Sequence, residues 1–229
     1  MTSPATSRKG RRIWWVIGVG AALVVAVTAG ILIGQAGKAP EAAPRPTRTP
    51  SSPTPAATAA PDASAARGCL LGTPPTAVMF NKLRAEKNFT PVGAVEFLGA
   101  YQQLSTYSDP GMAVGARDAL IAASAGNVLE RATALPSVGN PFGDESSHAF
   151  SLYTARYVIE SAKPDQVVVA LTGYLLKDGQ PSSTDGQHGI RGGGLFTLTP
   201  TDDGWQLVNG ATVDAAAVER TGSPFSGGC

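Results

Sequence analysis

Cysteine and histidine are almost missing from this 229-residue chain, which holds two of each. Two histidines, His148 and His188, give no His-x-x-x-His pair, and Cys69 and Cys229 give no Cys-x-x-Cys pair. A structural zinc site draws on such spacings, so no metal ligand is assigned. Lysine is scarce and the net charge is +1, which removes the basic surplus that nucleic-acid binding needs. No nucleophile-elbow motif occurs, so no catalytic residue is assigned and no cofactor is expected. What is abundant is alanine, glycine and proline, a composition resembling the proteome of a high-GC bacterium.

The abundance is uneven. Residues 13–34 carry no charge, and a helix rising 1.5 Å per residue needs roughly 20 apolar residues to cross a membrane. Trp14 and Trp15 stand at its first end, as interfacial aromatics do, and Arg8, Lys9, Arg11 and Arg12 precede it. Only Lys38 lies close on the far side. This asymmetry places residues 1–12 in the cytoplasm as a basic tail, residues 13–34 across the plasma membrane, and the rest outside. A cleaved signal peptide is the alternative, but its apolar core is usually about 7–15 residues long. Residues 35–67 form a Pro/Ala/Thr-rich linker, with Pro40, Pro44, Pro46, Pro50, Pro53, Pro55 and Pro61 recurring every few positions. It is too polar to offset its ordering entropy and should extend at up to ~3 Å per residue.

Residues 68–229 read as an extracytoplasmic α+β domain, helices first and strands after. Thr90-Pro91 starts a helix with Ala94, Phe97, Leu98, Tyr101 and Leu104 on its buried face. Asp109-Pro110 repeats the start signal for a helix through about Ala125, burying Ala113, Ala116, Leu120 and Ala123; Gly126-Asn127 interrupts it, and a short further helical turn through Val128 and Leu129 ends near Pro136. Residues 150–160 and 167–176 alternate as strands around Lys163-Pro164-Asp165-Gln166, predicting an antiparallel hairpin. In the first, Phe150, Leu152, Thr154, Arg156 and Val158 share one face and Tyr153, Ala155, Tyr157 and Ile159 the other. Residues 195–199 and 204–213 predict a second hairpin around Thr201-Asp202-Asp203-Gly204, and residues 177–194 a long loop.

Candidate chemistry is sparse. Asp144, Ser146 and His148 can be drawn as a nucleophile cluster, yet sequence neighbours rarely meet in triad geometry and a plain loop is the better account. Arg191-Gly192-Gly193-Gly194 could cradle an anion, but it does not join a strand to a helix and reads as a strand entry. Trp205 reads as a core residue, and the run Lys82, Arg84, Glu86, Lys87 as a solvated face. Cys69 and Cys229 bracket the domain and are candidates for one disulfide; free thiols or intermolecular pairing are the other readings.

The order of anchor, stalk, Thr90-Pro91-Val92-Gly93-Ala94 helix opening and final Gly204-Trp205-Gln206-Leu207-Val208 strand resembles a group of actinobacterial membrane-anchored proteins. Their outer domains are similar to the nuclear-transport-factor-two-like cone. The resemblance implies a curved antiparallel sheet wrapped on helices, with a concavity. It implies a bitopic scaffold subunit of a conjugation or type IV secretion-like channel, with membrane or envelope partners and self-association. Enzymes of that superfamily place an Asp/His or Tyr/Asp pair in the concavity; Arg156, Thr154 and Tyr174 are the polar candidates here, which points to a non-enzymatic interaction module. The alternative is an envelope small-molecule or lipid binder, its pocket lined by Phe97, Tyr101, Tyr157 and Leu171 with residues 177–194 as lid.

Overall fold

Two capping threonines open the helical half. The Thr76 hydroxyl accepts the Met79 N–H and starts α1 (Ala77–Ala85), and the Thr90 hydroxyl accepts the Gly93 N–H and starts α2 (Pro91–Thr106), with Pro at its first turn. The computed structural model describes residues 65–183 and 189–227, all within one compact unit. Residues 1–64, with the expected basic tail, apolar span and most of the linker, lie outside the described residues, as do His188 and Cys229. Among the described residues no helix is long and apolar enough to cross a membrane.

The domain is α+β, with helices packed on a curved antiparallel sheet. After α2 come α3 (Ala116–Ala122) and α4 (Gly126–Ala134). The strands follow: β1 (His148–Lys163), β2 (Gln166–Lys177), β3 (Gln180–Pro181), β4 (Arg191–Thr201) and β5 (Gly204–Ala211). A short helix α5 (Ala215–Thr221) and β6 (Ser223–Pro224) close the described chain. The strand order is β5-β4-β2-β1-β6, with β3 turned back on β2. Both expected hairpins form, pairing Lys163 with Gln166 and Thr201 with Gly204 across their turns.

Helix α2 is the centre of the core. Ala94, Phe97, Leu98, Tyr101 and Leu104 are buried as the periodicity predicts, and so are Val95, Glu96 and Ala100 on its other sides. Phe80 of α1 packs on Phe97 with ring centroids 5.3 Å apart, and Leu152 of β1 approaches α2 where Gly99 carries no side chain.

Several expectations need correction. The Asp109-Pro110 start does not open a helix: Ser108 instead pairs with His148 as a strand bridge, the Asp109 N–H donates to Gly111 O, and α3 begins only at Ala116. Ala116, Leu120 and Ala123 are buried, whereas Ala113 packs only partly against the core from the preceding loop. The helical turn expected through Val128 and Leu129 to near Pro136 does form, as α4, with Gly126 its first residue and Ala134 its last. Of the run read as a solvated face, Lys82, Glu86 and Lys87 are exposed, whereas Arg84 in the last turn of α1 is half-buried and its Nε donates to Trp205 O. The helices-then-strands order is broken by α5, which Asp214 caps by accepting the Ala216 and Ala217 N–H groups. The expected loop 177–194 is strand at both described ends, with the Ser182 N–H donating to Leu175 O and Arg191–Gly194 inside β4.

The alternation assigned to β1 also changes phase. Ser151 pairs with Tyr174 and Arg156 with Thr172, so four residues of β1 span the single Gly173 of β2. This bulge moves the core face from Phe150 and Leu152 to Ala155 and Tyr157, and leaves Tyr153 78% exposed. Gly173 permits it: a Cβ there would stand 2.7 Å from the buried Phe150 ring and 3.1 Å from Ala155. Gly173→Ala is therefore expected to destabilise the protein by about 1–3 kcal/mol through overpacking, lowering Tm by several degrees in a thermal melt. An unchanged Tm would show that the bulge relaxes around the added methyl.

Candidate functional site

Three places in the domain gather polar groups. The first is where the linker enters. Ala66 is fully buried and its N–H donates to the Tyr157 hydroxyl at 3.1 Å. The Gly68 N–H donates to Ser226 O and the Ser226 N–H to Ala66 O, so residues 66–68 lie as a short parallel strand beside the C-terminal segment. Arg67 reaches Glu96 on α2 with Nε to Oε1 at 2.8 Å and Nη2 to Oε2 at 3.0 Å, while its backbone N–H also donates to Oε1 at 3.0 Å. Glu96 is only 5% exposed, whereas the Arg67 side chain is 59% exposed. Burial pushes the Glu96 carboxyl up, but the Arg67 hydrogen bonds and charge outweigh it and hold the group below its ordinary value. Packing thus takes in Ala66 and Arg67 together with Gly68.

The second is the Asp144–His148 pair. Its two members do meet: His148 Nε2 lies 2.8 Å from Asp144 Oδ1, and Lys177 Nζ lies 2.9 Å from Oδ2. Ser146 joins through its backbone N–H to Asp144, not as a nucleophile on the imidazole. His148 is buried and stacked on Phe142 at 4.0 Å. The hydrogen bonds from Lys177 and His148 hold the Asp144 carboxyl far below the usual carboxylate range. With both oxygens engaged, Asp144 is a structural anion that ties the 140s loop to β2. Hydrogen bonds from both Ser147 groups to Asp178 add to the tie.

The third is a cavity of about 260 Å³ in the wedge between α2, α4 and β4. Tyr101, Arg131, Leu135 and Phe196 stand around it, with Gly193 at its edge. Ser124 donates its hydroxyl proton to Leu120 O at 2.6 Å, so the Tyr101 hydroxyl donates to Ser124 Oγ at 2.9 Å. Burial pushes the Tyr101 phenol up against the opposing effect of that bond and of the Arg131 charge, so it stays neutral.

The pocket expected from Phe97, Tyr101, Tyr157 and Leu171 is not formed by those four. All are buried in the main core, and only Tyr101 borders the wedge. Arg156, Thr154 and Tyr174 do not enter it either. Arg156 pairs with buried Thr172 and with Pro224 of β6, Thr154 sits in the β1 bulge, and Tyr174 lies under the Arg191 guanidinium 4.4 Å from its ring centre. Arg191 in turn pairs with Glu219 of α5, so Arg191-Gly192-Gly193-Gly194 is strand and not an anion cradle. Trp205 is the expected core residue, its Nε1 donating to Asn88 O at 2.7 Å with Phe89 edge-on to its ring. Cys229 and the topology residues Arg8, Lys9, Arg11, Arg12, Trp14 and Trp15 lie outside the described residues. No group of three or more metal-ligating side chains forms among the described residues.

Comparison with protein-family models, with characterised proteins and with solved structures finds no match. The site has to be read from its own geometry.

Asp144 makes a pH prediction. Its carboxyl is depressed in the folded state, so the stability it contributes is present above about pH 4, the ordinary Asp value, and is lost as pH falls below it. Asp144→Asn removes this dependence. Urea midpoints of the two proteins should differ at pH 7 and converge toward pH 2; a constant gap across that range would sink the assignment.

Proposed function

We propose that this chain is a non-enzymatic single-pass membrane protein whose exported domain is an interaction module in an envelope-spanning assembly of the conjugation or type IV secretion kind. In this reading residues 13–34 anchor it in the plasma membrane, the N-terminus is cytoplasmic, and the domain is a nuclear-transport-factor-two-like cone held outside on the linker. Its partners are other membrane or envelope proteins and further copies of itself.

The observation that supports it is the clamp of Ala66, Arg67 and Gly68 on the domain. A domain displayed only to capture solutes gains nothing from a fixed linker exit. A subunit that must hold a defined position against membrane-bound neighbours does, because every restraint on the exit limits the orientations the linker leaves open. The clamp also costs a buried carboxylate, Glu96, which is stable there only while Arg67 meets it.

The same segment argues for a Cys69–Cys229 disulfide in the proposed oxidising compartment. The bridge between Arg67 and Ser226 pairs a residue two positions before Cys69 with one three positions before Cys229. Closing so long a loop stabilises by roughly 5 kcal/mol on the chain-entropy account. Non-reducing peptide mapping of the exported protein should find the two cysteine peptides cross-linked; two thiols open to alkylation would reject the bond.

The functional test is recovery of the full-length protein from its native membrane in mild detergent, with partners identified by mass spectrometry. Channel subunits or a transfer ATPase should come with it and be lost when residues 1–37 are deleted. Arg67→Ala, expected to cost about 1–3 kcal/mol by stranding Glu96, should weaken that recovery while the domain stays folded. Recovery of the protein alone from wild-type membranes would overturn the assembly reading. The wedge cavity favours a second reading, capture of a small molecule.

A further inference from the structure

We propose that the wedge between α2, α4 and β4 is a binding site for a small monocarboxylate with a compact apolar body, its charge received by Arg131. The inference is independent of the assembly role.

The walls are apolar: the Phe196 ring from the sheet, the face of Tyr101 from α2, Val128 from α4, and Leu135 just past the end of α4. The Tyr101 hydroxyl is already committed to Ser124, so that ring offers the wedge its hydrocarbon surface. One full charge stands at the rim. Arg131 donates from Nη2 to Gly210 O at 3.2 Å and meets no carboxylate among the described residues. A guanidinium has five N–H donors in a fixed fork that matches a carboxylate, and most of these remain unused. Beside it on α2, Gln102 and Ser105 face the same space, the Ser105 hydroxyl donating to Gln102 O and the Gln102 carboxamide making no hydrogen bond among the described residues.

The backbone keeps the wedge open. Gly193 lies at φ 124°, and a Cβ there would run into the Leu171 carbonyl, so no side chain is accommodated at its edge. β5 ends at Ala211 opposite Leu195, so Gly192–Gly194 extend beyond it, and among the described residues no further strand covers that side. What approaches the backbone at these glycines is the sheet itself, since Cβ atoms on Gly193 and Gly194 would fall on Leu171 O and Ala211 O. The volume, about 260 Å³, is just under the ~300–1,000 Å³ of drug-sized pockets. It suits one aromatic ring or a short acyl chain with a single anionic head, and is too small for a phospholipid.

The test is titration of benzoate and of hexanoate into the full-length protein in nanodiscs, followed by calorimetry and by saturation-transfer NMR, with benzyl alcohol as the neutral analogue. Both acids should bind and compete with each other, and benzyl alcohol should bind about 10-fold more weakly or worse. Arg131→Gln should weaken benzoate about 10-fold or more, the factor for one lost charge-assisted hydrogen bond, and should erase the preference over benzyl alcohol. Leu135→Trp, which fills the mouth from a half-buried position, should abolish binding of all three. Circular dichroism and Tm of each variant establish that it is folded. No saturable binding of either acid by about 10 mM, or benzoate affinity unchanged in folded Arg131→Gln, would overturn the proposal.

Discussion

Helix α2 is buried nearly all round, and it carries a carboxylate into that burial. A helix in this position gains stability from every apolar face, but Glu96 sets a condition: an ionised group in a water-poor place must be paired and hydrogen-bonded or it costs several kcal/mol. Arg67 meets the condition with two side-chain nitrogens and its own backbone N–H. Because Arg67 sits at the end of the linker, the electrostatic requirement of the central helix is also what fixes where the linker leaves the domain. Tyr157 completes the arrangement from the sheet, its hydroxyl accepting the Ala66 N–H while its ring packs on Phe225.

The sheet is fitted to this helix by local departures from regularity. The bulge opposite Gly173 re-aims β1 so that Ala155 and Tyr157 continue the core that Phe150 and Leu152 begin. The β5 edge is closed by side-chain and backbone mimicry of a strand: the Asn127 carboxamide donates to Gly210 O and accepts the Gly210 N–H, and the Leu207 N–H donates to Ala123 O. On the opposite side β1 bulges again at Glu160, where Ile159 pairs with Val169 and Ser161 with Val168, which blunts that edge against pairing with another chain. The second sheet face is covered over β2 by α5, with Val218 and Ala170 buried outside the main core.

The parts of this fold that are local in sequence were legible there. Thr90-Pro91 satisfies orphan N–H groups and presets φ, and it starts a helix wherever an apolar 3.6-residue period follows, as it does from Ala94 to Leu104. The two hairpin turns are likewise self-contained. Asp109-Pro110 carries the same signal without the same context: Ser108 is captured by His148, distant in sequence, and the chain leaves the helical path until Gly115 adopts φ 74°. α1 and α5 are short and bury few residues, Ala77 and Phe80 in one and Val218 in the other, too few to write a period in the sequence. The β1 phase change could not be read without knowing which residue faces Gly173. The Arg67–Glu96 pair and the Arg131 rim depend on contacts that no spacing announces, although Arg131 falls one turn after Val128 on the helix expected there.

α2 also connects the two places to which a function is assigned. Glu96, which holds the linker, and Ser105, which borders the wedge, lie nine residues apart on one uninterrupted helix, about 13 Å along its axis. The first half of that helix is fixed by a charge pair to the linker and the second by the Tyr101–Ser124–Leu120 hydrogen-bond chain to α3. A close-packed helix does not bend to absorb a displacement at one end; it shifts or it holds. A molecule in the wedge and a pull on the linker therefore act on the same rigid body. The clamp and the cavity are then not rival explanations of the domain, since a positioned subunit and a small-ligand site can share the element that both require to be immobile.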